Sequence, residues 1–162
     1  HPTHTEGVKE APLPETVSFW RSAGIDPHIL SDCVRGNPFN FSDVVEHIPL
    51  GYKRIQQGDV IEIGNDKWMV HIGNGHAPEH ATLWNEKGQF VIAGDQVISS
   101  ISPNLGVYAT EPDADPVGEW IQSCERFLSF GKSTHLVLSG HKLPFTGLPF
   151  RLKRIARLDV VP

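Results

Sequence analysis

Apolar and polar positions along this chain change period twice, from helical to alternating and back. From Pro14 the spacing is helical: Val17, Phe19, Trp20 and Ala23 share one face, and Gly24 stands where a left-handed residue would end the helix. Asp26 and Pro27 form an N-cap and first-turn pair that opens a second helix through Ile29, Leu30 and Cys33, closed by Gly36. After Tyr52 the period becomes two. Ile61 and Ile63, then Trp68, Val70 and Ile72, alternate with polar neighbours around the turn Gly64-Asn65-Asp66, which predicts a hairpin with one wetter face. Ala81 to Trp84 and Phe90 to Ala93 form a second pair around Asn85-Glu86-Lys87-Gly88, and the later strand, apolar on both faces, is expected inside its sheet.

Helical spacing returns at Asp115-Pro116, with Trp120, Cys124, Phe127 and Leu128 inward and Glu119, Gln122 and Glu125 outward. His135 to Leu138 reads as a short buried strand. A closing helix from Leu148 turns Leu152, Ile155 and Leu158 inward and Arg151, Lys153 and Arg154 outward. Helix, helix, four strands, helix, strand, helix is the order of an α/β protein, but period alone does not choose among such folds.

Composition narrows the function classes. Of the 162 residues 39% are hydrophobic, enough for one cored unit, while residues 1–13 have no period and read as a tail or broken loop. Fourteen basic and nineteen acidic residues give a net charge of -5, and no basic stripe exists to track a phosphate backbone, so nucleic acid is not an expected partner. Apolar runs such as Gln89 to Ala93 are too short to span a bilayer, and no charged-then-apolar leader precedes them, so the expectation is a soluble, cytoplasmic protein without membrane contact. Cys33 and Cys124 match no metal or redox spacing and are expected to be reduced core thiols. The chain opens on His1 rather than Met, which reads as a trimmed or cleaved product.

Three segments place a metal-capable side chain just after a predicted strand, beside glycine: Gly75-His76-Ala77-Pro78-Glu79-His80, Ala93-Gly94-Asp95-Gln96 and Ser139-Gly140-His141-Lys142. Strand ends aim side chains with little slack, and two imidazoles with one carboxylate suit zinc or iron. Taken alone, each is equally a turn residue: His76 beside Pro78, Asp95 as a turn or cap, His141 as a loop histidine.

In this order the three segments resemble the third, fourth and fifth metal motifs of the metallo-β-lactamase superfamily, over roughly Tyr52 to the C-terminal helix. The run from Gly94 through Ile101-Ser102-Pro103-Asn104 to Glu111-Pro112-Asp113-Ala114-Asp115-Pro116 is similar to a bacterial hydrolase branch with a helical insertion, here Pro14 to Arg35. The resemblance implies a partial αββα sandwich, α/β in class, with a mixed sheet and flanking helices. Residues 14–50 would be the helical insertion and 51–162 the C-terminal half of the domain.

It also implies a hydrolase in which metal-activated water attacks an ester, thioester, lactone, amide or phosphoester of a small molecule. His76 would complete one metal site, Asp95 bridge two metals, and His141 belong to the second; these three are the expected catalytic and metal residues. His80 would serve in support or as a further ligand. Zn2+ is the expected cofactor, two ions in the complete protein, with iron or manganese as alternatives. The family's His-x-His-x-Asp-His motif is missing in complete form. His1-Pro2-Thr3-His4 is a poor remnant, since Thr3 replaces the acid and no strand precedes it. The motif is therefore expected in residues outside this chain.

A different class of function follows if the chain acts as it stands: a catalytically incomplete module whose bare sheet face associates with its missing half or a second copy. A di-iron redox relative is a third reading, without any segment resembling an attached flavin domain.

Other residues take plainer readings. His71 is expected to be an exposed strand residue, His28, His47 and His135 surface or satisfied core histidines, and Trp20, Trp68, Trp84 and Trp120 packing residues. Asp113 and Asp115 suit a helix start better than an acid/base pair, and Ser99-Ser100 lacks the strained elbow of a nucleophile. Asn104 and Tyr108, in the loop after Asp95, are candidate rim residues.

Overall fold

The computed structural model describes residues 12–36 and 51–158. The proposed remnant at His1 to His4, the loop at 37–49 and His47 lie outside the described residues. The chain divides into two compact units: one takes the described residues of His1–Tyr52 with Tyr108–Asp113, the other those of Lys53–Val107 and Ala114–Pro162.

The first unit holds helices α1 (Pro14–Ser22) and α2 (Pro27–Arg35), neither with a fully buried residue. Gly24 adopts φ 79° just beyond α1, the left-handed position expected of it. Asp26 caps α2, its carboxylate accepting from the His28 and Ile29 amides. Gly36 also ends α2 but in extended backbone rather than the left-handed region. Cys33 is exposed, which corrects its expected place in a core, whereas Cys124 is buried.

The second unit is built on one mixed sheet in the order β1 (Val60–Ile63), β2 (Asp66–Gly73), β3 (His80–Asn85), β4 (Phe90–Gly94), β5 (Leu136–Ser139). The first three pairings are antiparallel; β5 returns parallel to β4 after helix α3 (Pro116–Leu128), and α4 (Leu148–Leu158) follows. A parallel return needs a crossover long enough to carry a helix, and α3 is that crossover.

Its apolar stripe places Trp120, Cys124 and Phe127 in one cluster with Trp84, Val91, Ala93 and Val137 of the sheet and Leu148, Leu152 and Ile155 of α4. The expectation for β4 holds in part: strands pair on both its sides, but Val91 and Ala93 are buried while Phe90 on the other face is exposed. Asp115 starts α3, as expected, by accepting from the Gly118 amide at 2.8 Å.

Two further side chains differ from the sequence expectation. His71 is half-buried, stacked on Phe130 with ring centroids 4.2 Å apart and edge-on to Trp84 at 5.6 Å. Strand alternation points it to the helix-covered face, and an imidazole is apolar enough to pack there. Arg151, expected outward on α4, is only 8% exposed; Nε donates to the Ile98 carbonyl at 2.7 Å and Nη2 to that of Ile101 at 2.8 Å. The guanidinium goes inside because two chain carbonyls await its forked donors.

Candidate metal centre

Three chain reversals at one end of the sheet bring the candidate residues together. His76 lies between β2 and β3, Asp95 directly follows β4, and His141 follows β5. Asp95 Oδ2 is 3.6 Å from His76 Nε2 and 3.4 Å from His141 Nε2. Charge-assisted hydrogen bonds are shorter, about 2.7–2.9 Å. Donors sharing one tetrahedral cation with bonds of about 2.0–2.1 Å sit about 3.3 Å apart, near the spacing found here.

Asp95 Oδ1 is buried with no hydrogen-bond partner, an orphaned acceptor of the kind a cation satisfies. Two imidazoles and a carboxylate are also a donor set that zinc and its neighbours accept. Among the described residues no group of three or more His, Cys, Asp and Glu side chains is placed to hold a metal ion as it stands; the structure shows two imidazoles, each near one Asp95 oxygen. The arrangement is an open one, centred on a single carboxylate oxygen.

The tautomer of His76 follows from its other nitrogen. Nδ1 is 2.9 Å from the Asn104 carbonyl oxygen, which can only accept, so Nδ1 carries a proton and Nε2 is the nitrogen turned toward Asp95. Asn104, expected at the rim, thus acts through its backbone. His141 is the open side of the group, with 67% of its side chain exposed.

His80 stands beside the trio without touching the carboxylate. Its ring centroid is 5.9 Å from that of His76, and a Cβ on Gly94 would lie 2.7 Å from its Cε1. Gly94, at φ 51°, is therefore needed twice over, for its backbone and for the space it leaves. Burial and, after it, the nearby His76 lower the pKa of His80, and its Nδ1 is buried without a partner. Lys142 (φ 67°) and Glu79 (φ 52°), beside these histidines, are the non-glycine residues in left-handed backbone among the described residues.

Several contacts that hold these loops carry no sequence signal. Asn74 donates its amide to Ser123 Oγ at 2.9 Å, and its side-chain oxygen accepts from the Glu79 amide at 2.9 Å. Trp120 Nε1 donates to the Gln96 carbonyl and Ser139 Oγ to that of Val97. Apart from Asn74 and Glu79, which share one loop, the partners are distant in sequence, so no local motif announces the pair.

No family model matches the chain. It is 29% identical over 99 residues to YflN of Bacillus subtilis strain 168, described as a probable metallo-hydrolase, covering 53% of this chain and 35% of that protein. A crystal structure of a β-lactamase domain protein from Burkholderia ambifaria superposes with a TM-score of 0.68 at 34% identity, over 78% of this chain and 39% of that one. A metallo-β-lactamase family protein from Thermus thermophilus shares the fold, with a TM-score of 0.65 at 22% identity over 88% of this chain and 48% of that one. The chain thus spans about a third of the curated relative's length and under half of either structure. Strand order, the placement of the three motifs and these likenesses agree: the chain has part of the metallo-β-lactamase fold, the fold of the superfamily its motifs resemble.

Proposed function

We propose that this chain supplies part of the active site of a metal-dependent hydrolase, with His76, Asp95 and His141 as ligands. The observation that carries the reading is the approach of both imidazole Nε2 atoms to Asp95 Oδ2 at 3.6 and 3.4 Å, spacings that suit shared ligation better than direct ion pairing. A bound zinc, iron or manganese ion supplies the acidity that makes water a nucleophile at neutral pH. The rest is the work of side chains. Asp95 gathers two imidazoles around one oxygen and keeps a second, buried oxygen unbonded. His76 is fixed in one tautomer by Asn104. His141 faces solvent, which is the side from which a small ester, thioester, lactone, amide or phosphoester would enter.

Elemental analysis with intact mass on the native protein, followed by hydrolysis assays across those ester and amide classes, tests the reading. Stoichiometric metal with hydrolysis is expected. Protein that holds no metal and hydrolyses nothing after zinc, manganese and iron are added overturns it. A second reading, a binding or dimerising module, draws on Val60, Ile63 and Phe90, apolar strand residues left 44%, 45% and 37% exposed. A chain that self-associates at micromolar concentration, with unaltered association after His141→Ala, would favour it.

A further inference from the structure

Gln96 is fully buried, yet its amide is only half used. Nε2 donates to the Asn74 carbonyl at 3.0 Å, while Oε1 has no partner. A buried amide oxygen without a partner is a standing expense that an apolar residue of similar size would avoid, so its presence calls for a reason. The reason is in what it joins. Gln96 follows Asp95 directly, and Asn74 precedes His76 by two residues, so this bond ties one ligand-bearing loop to the other. The main chain of Gln96 is fixed independently, its carbonyl accepting from Trp120 Nε1 at 3.0 Å and its amide donating to the Ala93 carbonyl at 3.1 Å. Asn74 is likewise held from α3 by Ser123 Oγ. The side-chain bond therefore adds a direct link between two loops that are each also held from α3.

Gly73 completes the arrangement. A Cβ there would lie 2.4 Å from Gln96 Cδ, so the amide runs through the space where any other residue would place its side chain. The backbone of Gly73 is not in the left-handed region, and the three atoms nearest such a Cβ all belong to the Gln96 side chain.

We propose that Gln96 is a positioning residue which sets the separation of His76 and Asp95 by joining their loops through Nε2 and the Asn74 carbonyl. The inference rests on the ligand assignment given above, and the test separates the two. Gln96→Met removes the bond with little change of volume; Gly73→Ala displaces the same side chain without altering it. Ile155→Ala, in the core under α4, serves as a control that lowers stability only.

In the full-length protein, Zn2+ and Co2+ affinities are measured by chelator competition together with the Co2+ absorption spectrum. Hydrogen exchange at the Glu79 amide is followed in metal-free protein. Both Gln96→Met and Gly73→Ala should weaken metal binding about 10–100-fold, change the Co2+ spectrum and speed exchange at Glu79, while Ile155→Ala leaves all three as in wild type. Wild-type affinity and spectrum in a folded Gln96→Met or Gly73→Ala protein overturn the proposal. If the wild type itself binds neither metal, the hydrolase reading fails, and Glu79 exchange decides for Gln96 alone: unchanged exchange in both variants rejects the strut.

Discussion

Gly140 has no space for a side chain because the Asp95 carboxylate fills it: a Cβ there would lie 2.5 Å from Asp95 Oδ1. The Gly140 amide also donates to the Gly94 carbonyl at 2.8 Å, so the backbone cannot back away without losing that bond. Gly140→Ala must therefore rotate Asp95. The expected result is metal affinity weakened about tenfold or more, with overpacking lowering stability by about 1–3 kcal/mol. Calorimetric titration with zinc beside a urea melt checks it; unchanged affinity would mean the carboxylate has another position from which to bind.

His141 and His76 should respond differently to removal. With most of its side chain in solvent, His141→Ala is expected to change stability by no more than about 0.5 kcal/mol while lowering metal affinity at least about tenfold. His76→Ala also leaves the Asn104 carbonyl without its donor, adding about 1 kcal/mol of instability. Melting curves and chelator competition on the two proteins separate these effects. Equal instability with unchanged affinity in both would remove the histidines from the metal centre.

The elements, and the adjacency of His76, Asp95 and His141, were legible because both are written locally. Period, caps and turns mark strands and helices, and a strand end beside glycine marks where a side chain can be aimed. What holds the site is written non-locally. Gln96 meets Asn74 across 22 positions, Asn74 meets Ser123 across 49, and Arg151 meets Ile98 across 53. Arg151 in particular has the helical position of a solvated residue, and only the carbonyls opposite it reverse that assignment. His71 is misread for a related reason: alternation assigns it a face but not what covers that face, and here the cover is Phe130.

Arg151 closes the far end of the loop that begins at Asp95. Its donors reach the Ile98 and Ile101 carbonyls from a position 8% exposed. Arg151→Met keeps the stem and strands both carbonyls, at a cost of about 2–4 kcal/mol. Arg151→Lys should recover part of this, since one ammonium cannot serve both carbonyls as the guanidinium fork does. Chemical denaturation of the three proteins orders them; a methionine variant as stable as wild type would show that water replaces the guanidinium without penalty.

Two histidines on Trp84, together with His80, are expected to make stability depend on pH. His71 and His135 each present an edge to that indole, at 5.6 and 5.5 Å. The pKa of His71 is lowered by burial and then by Arg126, and that of His135 by burial and then by Lys132. Both are neutral guests of the core. Well above the unfolded value of about 6.5, folded and unfolded chains are alike deprotonated at these sites, and stability is level. As pH falls through about 6.5, the unfolded chain binds protons that the folded one refuses, so stability declines until the lowered folded pKa values are passed. The melting temperature of metal-free protein should therefore be lower at about pH 5 than at about pH 7.5. His71→Phe keeps the stack on Phe130 and removes one of the three histidines with lowered pKa, His80 being the third, so its melting temperature should fall less over the same interval. A variant with the full wild-type slope would assign the pH dependence to groups other than His71.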